Sequence, residues 1–243
     1  MNVLLLCRSD CLVSKAAATH LKKFSNWSVT VREATERGKS DLTDELLSDM
    51  DYVFAFRYPC ILSEKQIKLS THGVINFHPA PPKYRGSGAI SHALYNEDTS
   101  FGVTAHLMDG LIDHGPIIGL REWEVDFHVN HSVQHLLRVS EAELLELFKE
   151  VTNDIYYDSS KLFEREIKYK VEGVHFTGHP HYIKEIDEMI DITKYISYLE
   201  DFVLSKKQLE KVIRATYNPD GKHNPYIDVH GYRFVLESDK PHE

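Results

Sequence analysis

The residues whose types and spacing suit chemistry lie between positions 76 and 115. Asn76-Phe77-His78 ends an apolar run. Because strand side chains alternate with period two, the amide and the imidazole project from the same face. Asp113 follows 35 residues beyond His78, and a carboxylate returned to this strand end can hold the imidazole's protonation state or take a proton. The three side chains predict acid–base chemistry at a carbonyl-like centre.

Alternating short strands and helices are expected to position these side chains. The run from Asn2 to Cys7 is short and apolar, which is typical of a central parallel strand buried on both faces. The alternation predicts an α/β fold with a Rossmann-like, mostly parallel sheet and helices on both faces. Loops at the carboxyl ends of the strands should carry the site.

A smaller C-terminal region is expected after the sheet. Residues 130–157 carry an apolar stripe at helical spacing, and beyond Tyr169 the composition shifts to Gly, His, Pro and Tyr. A hairpin is predicted around His230-Gly231 from turn chemistry and alternation. We therefore predict a catalytic domain over residues 1–165 and a small appendage over residues 166–243, which ends in that β-hairpin.

Composition limits the partners of such a site. The 243 residues carry 28 basic and 37 acidic side chains, a formal charge of -9, which argues against a broad nucleic-acid footprint. No apolar run approaches the roughly 20 residues that span a bilayer, so no membrane association and a cytoplasmic location are expected. The three cysteines lack zinc-type spacing, and no disulfide is expected.

Two common cofactor classes are disfavoured. A dinucleotide-binding fold needs glycines in its first turn, so that the backbone can approach a pyrophosphate. That turn reads Cys7-Arg8-Ser9-Asp10-Cys11 here, which argues against hydride transfer. No metal site is expected either. The histidines that could form one, namely His128, His131, His135, His179 and His181, lack a Cys or an acidic residue that would complete a zinc pattern.

The run from Tyr52 to Ile118 resembles the catalytic core of the folate-dependent formyltransferases. The resemblance rests on a strand that ends in Asn76-x-His78, a Pro-rich stretch that ends in Arg85-Gly86, the triplet Gly102-Val103-Thr104, and the loop end Asp113-His114-Gly115. These motifs occur in the order that is typical of the family.

The resemblance implies transfer of a formyl group from 10-formyltetrahydrofolate to a primary amine. Asn76 and His78 would donate hydrogen bonds to the formyl oxygen, and Asp113 would orient His78 or relay the amine's proton. The folate pocket is implied between two loops whose candidate contacts are Phe56, Arg57, Tyr58, Ile61, Met108, Asp109 and Gly110. Ordinary aromatic packing is the alternative for Phe56 and Tyr58.

The Pro-rich loop after the site is the candidate acceptor side. Lys83 and Arg85 flank Tyr84 on this stiff loop, where two cations suit phosphate contacts; a solvated surface is the alternative. The loop is similar to that of formyltransferases that act on nucleotide-linked amino sugars. Tyr217 and Tyr226 are further candidate substrate contacts. Helix and hairpin packing is the alternative for these tyrosines.

The favoured acceptor is therefore a dTDP-linked amino-deoxysugar, such as dTDP-4-amino-4,6-dideoxyglucose. The product would feed synthesis of a surface polysaccharide such as the O-antigen of lipopolysaccharide. UDP as the nucleotide and glycinamide ribonucleotide as the acceptor stay open, as does a non-catalytic module that binds folate or a sugar nucleotide. A homodimer through the C-terminal region is expected, because an exposed hairpin edge invites pairing.

Overall fold

The computed structural model describes residues 1–126, 132–157, 171, 173–193, 205–219 and 224–237. Ten strands and seven helices lie within these residues. The strands are β1 Asn2–Arg8, β2 Ser28–Ala34, β3 Gly38–Lys39, β4 Tyr52–Phe56, β5 Cys60–Ile61, β6 Val74–His78, β7 Ser100–Leu107, β8 Ile117–Glu124, β9 Tyr226–Val229 and β10 Tyr232–Val235. The helices are α1 Leu12–Leu21, α2 Asp44–Ser48, α3 Glu64–Ile67, α4 Ala89–Asn96, α5 Val133–Tyr157, α6 Ile183–Ile190 and α7 Lys206–Thr216.

A six-stranded sheet in the order β2-β1-β4-β6-β7-β8 forms the centre of the fold. The pairs β1 with β2, β1 with β4, and β4 with β6 are parallel. Strand β7 runs antiparallel to β6. The predicted Rossmann-like, mostly parallel sheet with helices is confirmed. So is the C-terminal hairpin, in which β9 and β10 pair in antiparallel fashion.

Apolar strand interiors and one long helix explain why the sheet forms. Val3 to Cys7 in β1 and all five residues of β4 are buried, as expected for strands that are covered on both faces. Helix α5 buries its apolar stripe through Leu136, Leu144 and Phe148, among others. The Phe148 ring packs edge-on against three aromatic rings of β4 and β6, those of Phe54, Phe56 and Phe77. This aromatic cluster fixes the strand ends from which the candidate site projects.

The chain folds into two compact units that are built from interleaved segments. The first comprises residues 1–85, 102–122 and 140–178, and the second comprises residues 86–101, 123–139 and 179–243. In the second unit, α4 packs against α7, and the guanidinium of Arg214 pairs with Glu97 at 2.9 Å. The predicted boundary between residues 165 and 166 lies outside the described residues and stays a prediction.

Three further observations bear on the sequence-based expectations. The long helix begins at Val133, and its predicted start at residue 130, like His128 and His131, lies outside the described residues. None of the helices in the described ranges is both long and apolar enough to cross a membrane. All three cysteines are thiols.

Candidate active site

Two strand ends in the first unit bring an amide and two imidazoles together. Asn76 and His78 stand on β6, two residues apart, and the antiparallel register places His106 of β7 directly opposite Asn76. His106 is 1% exposed. The sequence-based prediction missed this residue, although a histidine within the apolar run from Gly102 to Leu107 is a usable signal, because a buried imidazole needs polar partners.

The Asp113 carboxylate joins these three side chains. Its Oδ1 accepts a hydrogen bond from the Asn76 amide at 3.1 Å and lies 3.3 Å from His106 Nε2. Its Oδ2 lies 3.4 Å from His78 Nδ1. The predicted Asn76, His78 and Asp113 are therefore together in the structure, and His106 is the fourth member of the group.

The hydrogen bonds define which atoms carry protons. His106 Nδ1 faces the Leu107 carbonyl oxygen at 3.2 Å, and a carbonyl can only accept, so Nδ1 carries the proton and Nε2 accepts one from Asn76 Nδ2 at 3.0 Å. Both amide protons of Asn76 are thus engaged, one by His106 and one by Asp113. These assignments follow from the network of partners.

The same reasoning applies to His78. Its Nε2 lies 2.7 Å from the Tyr84 carbonyl oxygen, so Nε2 carries a proton and donates it there. In the neutral imidazole, Nδ1 then holds the lone pair, and this nitrogen is the one that faces Asp113. His78 can therefore take a proton at Nδ1, next to a carboxylate that stabilises the resulting imidazolium.

The loop that carries Asp113 is held by backbone requirements. Asp113 has φ of 39°, in the left-handed region that Asp tolerates better than most residues. At Gly115, a Cβ would lie 1.9 Å from the Leu107 carbonyl oxygen, so only glycine fits. Local backbone geometry thus explains the Asp113-His114-Gly115 motif, because the glycine lets the loop that carries the Asp113 carboxylate pass close to β7.

Arg85 ties this loop to another segment. Its guanidinium donates from Nε and Nη2 to the Ile112 carbonyl oxygen at 3.0 and 2.8 Å, and from Nη1 to the Gly178 carbonyl oxygen at 3.1 Å. Ile112 immediately precedes Asp113. In this geometry the Arg85 side chain positions the Asp113 loop, and a phosphate contact, as predicted, would require some of these bonds to be exchanged.

Phe176, which the sequence-based prediction did not single out, lies edge-on to the imidazole of His106, with ring centroids 5.0 Å apart. Its ring is 6.3 Å from that of His78. The segment is anchored where the Thr177 N–H donates to the Pro82 carbonyl oxygen at 3.0 Å. An apolar ring beside both histidines limits the access of water to them.

The other predicted acceptor-side residues of the first unit have different surroundings. Lys83 is exposed, and its Nζ lies 5.1 Å from the centre of the Tyr84 ring. The Tyr84 side chain is 2% exposed, so it belongs to the core, and its carbonyl oxygen serves His78. A substrate contact by the Tyr84 ring does not fit this burial.

Among the predicted folate contacts, Phe56 is fully buried and packs against Phe77 and Phe148. The Phe56 side chain therefore belongs to the core, which leaves only its backbone groups to contact a ligand. Arg57 has φ of 55°, and its guanidinium pairs with the Glu141 carboxylate. Packing thus explains both side chains without a ligand.

The remaining candidate folate contacts lie on two loops that border one apolar cluster. Tyr58 and Met108 both pack against the cluster that contains Leu42, Leu62 and Ile67. Ile61 is 66% exposed. Asp109 accepts hydrogen bonds from the Leu111 N–H at 3.1 Å and from His114 Nδ1 at 2.6 Å, and Gly110 has φ of 91°. The shared cluster brings the two predicted loops to one region.

The candidate contacts of the second unit are used in its own packing. The hydroxyl of Tyr217 donates to the Glu237 carbonyl oxygen at 2.8 Å, and its side chain is buried. The Arg233 guanidinium lies 3.6 Å from the centre of the Tyr226 ring and pairs with Asp228 at 2.8 Å. A nucleotide contact by either tyrosine stays a prediction.

The fold and this site define a Rossmann-like α/β protein whose strand ends gather an amide, two imidazoles and a carboxylate. The model of the formyl transferase family matches residues 7–152, which is more than half of the 243-residue chain. The chain belongs to the formyl transferase family. The resemblance expected from the Asn76-x-His78 and Asp113-x-Gly115 motifs is therefore confirmed.

One curated relative and two solved structures are similar to the chain. The chain is 33% identical over 146 residues to the methionyl-tRNA formyltransferase of Thermotoga neapolitana, and the match covers 59% of this chain but only 44% of that protein. The chain thus spans less than half of the length of this curated relative. A sugar N-formyltransferase from a Shewanella species superposes with a TM-score of 0.73 at 16% identity, over 98% of this chain and 97% of that one. The formyltransferase PseJ from Anoxybacillus kamchatkensis, solved with UDP-4,6-dideoxy-4-formamido-L-AltNAc and tetrahydrofolate, superposes with a TM-score of 0.58 at 22% identity, over 83% and 93%.

Proposed function

We propose that this protein transfers a formyl group from 10-formyltetrahydrofolate to the amine of a nucleotide-linked amino sugar. One observation carries the proposal. The Asp113 carboxylate lies within 3.1 to 3.4 Å of Asn76, His78 and His106, which is a group of donors and proton acceptors at one strand end. Family membership and the shared fold of sugar N-formyltransferases support the proposal.

The chain's own residues have distinct parts in this reaction. When bound, 10-formyltetrahydrofolate supplies the formyl carbon that the amine attacks. The amine must lose a proton, and His78 Nδ1 with Asp113 Oδ2 forms one acid–base unit that takes it. The same unit returns the proton to the folate nitrogen when the bond from that nitrogen to the formyl carbon breaks, so that tetrahydrofolate leaves. Asn76 exchanges one of its two internal hydrogen bonds for the formyl oxygen, where negative charge develops. Such a donor contributes about 3 kcal/mol in the transition state.

The two loops proposed for the folate fit an aromatic, partly apolar ligand. Ile61, Leu111 and Ile112 are exposed apolar side chains on these loops, beside the cluster against which Tyr58 and Met108 pack. Backbone N–H and C=O groups of Arg57 to Ile61 and of Met108 to Gly110 would serve the polar edge of a pterin. In this proposal Arg57, Asp109 and Gly110 shape the loops.

The favoured acceptor is a dTDP-linked amino-deoxysugar, in particular dTDP-4-amino-4,6-dideoxyglucose, with a product for surface-polysaccharide synthesis. The near-complete superposition on a sugar N-formyltransferase supports a sugar acceptor, and the sugar nucleotide bound to PseJ supports a nucleotide carrier. The exposed ammonium of Lys83 is the proposed phosphate contact, and Tyr217 and Tyr226 are proposed to contact the nucleotide.

The decisive experiment incubates the purified protein and 10-formyltetrahydrofolate with a panel of dTDP- and UDP-amino sugars, glycinamide ribonucleotide and methionyl-tRNA. Mass spectrometry detects the gain of one formyl group. We expect a product with a dTDP-amino sugar and none with an Asp113→Asn protein that still binds folate. A product with only glycinamide ribonucleotide or methionyl-tRNA would overturn the acceptor. If the protein binds folate but formylates none of these amines, the result would favour the alternative of a non-catalytic binding module.

The proposal includes a homodimer formed by the C-terminal hairpin and a cytoplasmic location. Tyr232 and Phe234 of β10 are 73% and 62% exposed, and a second copy of the hairpin would cover them. Light scattering of the untagged protein should give twice the chain mass, and Phe234→Glu should give one chain mass. A monomer before mutation would reject the dimer. Thiols at all three cysteines accord with a reducing compartment.

A further inference from the structure

A second group of imidazoles around one carboxylate lies in the second unit. His92 stands on α4, His181 precedes α6, and Glu185 lies in the first turn of α6. Glu185 Oε2 is 2.7 Å from His181 Nδ1 and 3.4 Å from His92 Nε2. One ligand atom from each residue lies within 4.8 Å of those of the other two.

Backbone contacts fix the positions of these side chains. The other carboxylate oxygen of Glu185, Oε1, accepts a hydrogen bond from the Tyr182 N–H at 2.9 Å, which orients Oε2 toward the imidazoles. The His181 carbonyl oxygen accepts a hydrogen bond from the Ser87 N–H at 2.9 Å. A Cβ at Gly86 would lie 2.3 Å from the same oxygen, so glycine is required for this close approach. These contacts fix the Glu185 carboxylate and the backbone of His181.

We propose that His92, His181 and Glu185 bind one zinc ion. Two imidazole nitrogens and one carboxylate oxygen form a donor set typical of zinc. In a tetrahedral site with bonds of about 2.0 to 2.1 Å, neighbouring ligand atoms are about 3.3 Å apart. The present 2.7 and 3.4 Å separations are close to that spacing. Ligation through His181 Nδ1 requires this nitrogen to lose the hydrogen that it now shares with Glu185, so the neutral ring takes the tautomer with its proton on Nε2.

The remaining coordination position and the ring geometry follow from the same contacts. The rings of His92 and His181 now stack with centroids 3.9 Å apart. Ligation of one ion by both rings requires centroids about 5 Å apart, given those bond lengths, so the rings must splay when the ion binds. The exposed His179, whose ring centroid is 4.9 Å from that of His181, is the neighbouring donor for the fourth position, and water is the alternative.

The test uses untagged protein stripped with a chelator, which is then titrated with zinc against a chromophoric chelator. We expect one equivalent to bind with a dissociation constant below about 1 μM, and Glu185→Gln and His92→Gln each to weaken binding by at least about 100-fold. Glu188→Gln on the same helix and His135→Gln, at another histidine-rich segment, are the matched controls and should bind as the parent protein does. Cobalt in place of zinc should give the visible absorption of a four-coordinate ion.

Either of two results would overturn the proposal. Zinc bound as tightly by Glu185→Gln as by the parent protein, or no binding tighter than about 0.1 mM, would mean that Glu185 only holds two imidazoles by hydrogen bonds. If His92→Gln fails to fold, the result with Glu185→Gln decides between zinc binding and a purely structural role, because the Glu185 side chain is partly exposed. A thermal shift supplies a second readout, because a saturating zinc concentration should raise the unfolding temperature of the parent protein and of Glu188→Gln but not that of Glu185→Gln.

Discussion

Two groups of histidines around a carboxylate occur in this protein, and they are held in different ways. In the first unit, Asp113 comes from a loop and meets side chains of two strands, and it lies 37 positions after Asn76. In the second unit, Glu185 meets His181 four residues earlier, at a helix start. The first carboxylate depends on long-range packing for its position, and the second depends largely on one turn of helix.

This difference accords with the two proposed roles, a site for a reacting molecule and a site for an ion. Around Asp113 the protein offers an amide donor, two imidazoles with opposite tautomers and a covering ring, that of Phe176. Such variety suits a reaction in which charge and protons move. Around Glu185 the two imidazoles and the carboxylate are all possible ligands, which suits a static cation. Each prediction below tests one side of this contrast.

The largest effect is expected when the Asp113 carboxylate is replaced. Asp113→Asn keeps the size of the side chain but removes the charge that stabilises the protonated His78. We expect kcat to fall about 1000-fold, which corresponds to about 4 kcal/mol in the transition state, with folate binding retained. Steady-state kinetics with the accepted amino sugar would measure it, and Glu188→Gln serves as a control with unchanged kcat. A kcat within tenfold of the parent value would remove Asp113 from the acid–base unit.

The second effect concerns the stability of the other group as pH falls. The folded pKa of His92, about 4, lies below the usual value near 6.5 for an unfolded histidine. Between these values the unfolded chain binds more protons, so stability rises with pH across the window and is lost as pH falls. Chelator-treated protein should lose roughly 2 kcal/mol between pH 7 and pH 5 through this residue.

Urea unfolding at both pH values checks this prediction. Because other groups also titrate, the informative quantity is the difference between the parent protein and His92→Gln. The variant should lose roughly 2 kcal/mol less over the same interval. The same pH dependence in both proteins would mean that the burial of His92 does not depress its pKa.

The sequence was most informative where chemistry and local structure coincide. The buried runs in β1 and β4 and the turn at His230-Gly231 predict strands and a hairpin by periodicity and turn chemistry, whereas the strand order comes from the structure alone. Asn76, His78 and Asp113 could be named because their order along the chain resembles a family pattern. Their mutual distances depend on the path by which the Asp113 loop returns to β6, and the periodicity of the sequence does not predict that path.

The residues that the sequence did not reveal share one physical property. His106 gains its place only through the antiparallel register between β6 and β7, and Phe176 through a segment far along the chain. Conversely, Phe56 and Tyr84 were plausible ligand contacts by type, but burial places both side chains in the core. Exposure depends on tertiary packing, so aromatic residues near a site cannot be sorted from sequence alone.

The third effect tests His106 as a positioning residue. His106→Leu removes the acceptor that holds one Asn76 proton at 3.0 Å, so the amide would adopt several orientations. We expect kcat to fall about tenfold, a loss of about 1.4 kcal/mol, with little change in KM for the folate. The pH dependence of kcat should keep its shape, because His78 and Asp113 are intact. Reduced stability with an unchanged kcat would assign His106 to packing alone.

The smallest effect distinguishes two uses of Arg85. Lysine at this position cannot reproduce three donors aimed at the Ile112 and Gly178 carbonyl oxygens, so the Asp113 loop would loosen. If Arg85 only positions that loop, Arg85→Lys should lower kcat about fivefold and leave KM for the sugar nucleotide unchanged. Lys83→Gln is the companion variant, and its loss of a phosphate contact should raise KM with little change in kcat. A raised KM in Arg85→Lys at constant kcat would instead show that the guanidinium leaves these carbonyl oxygens to bind substrate. The loop around Asp113 would then have to move when substrate binds, unlike the helix start that carries Glu185.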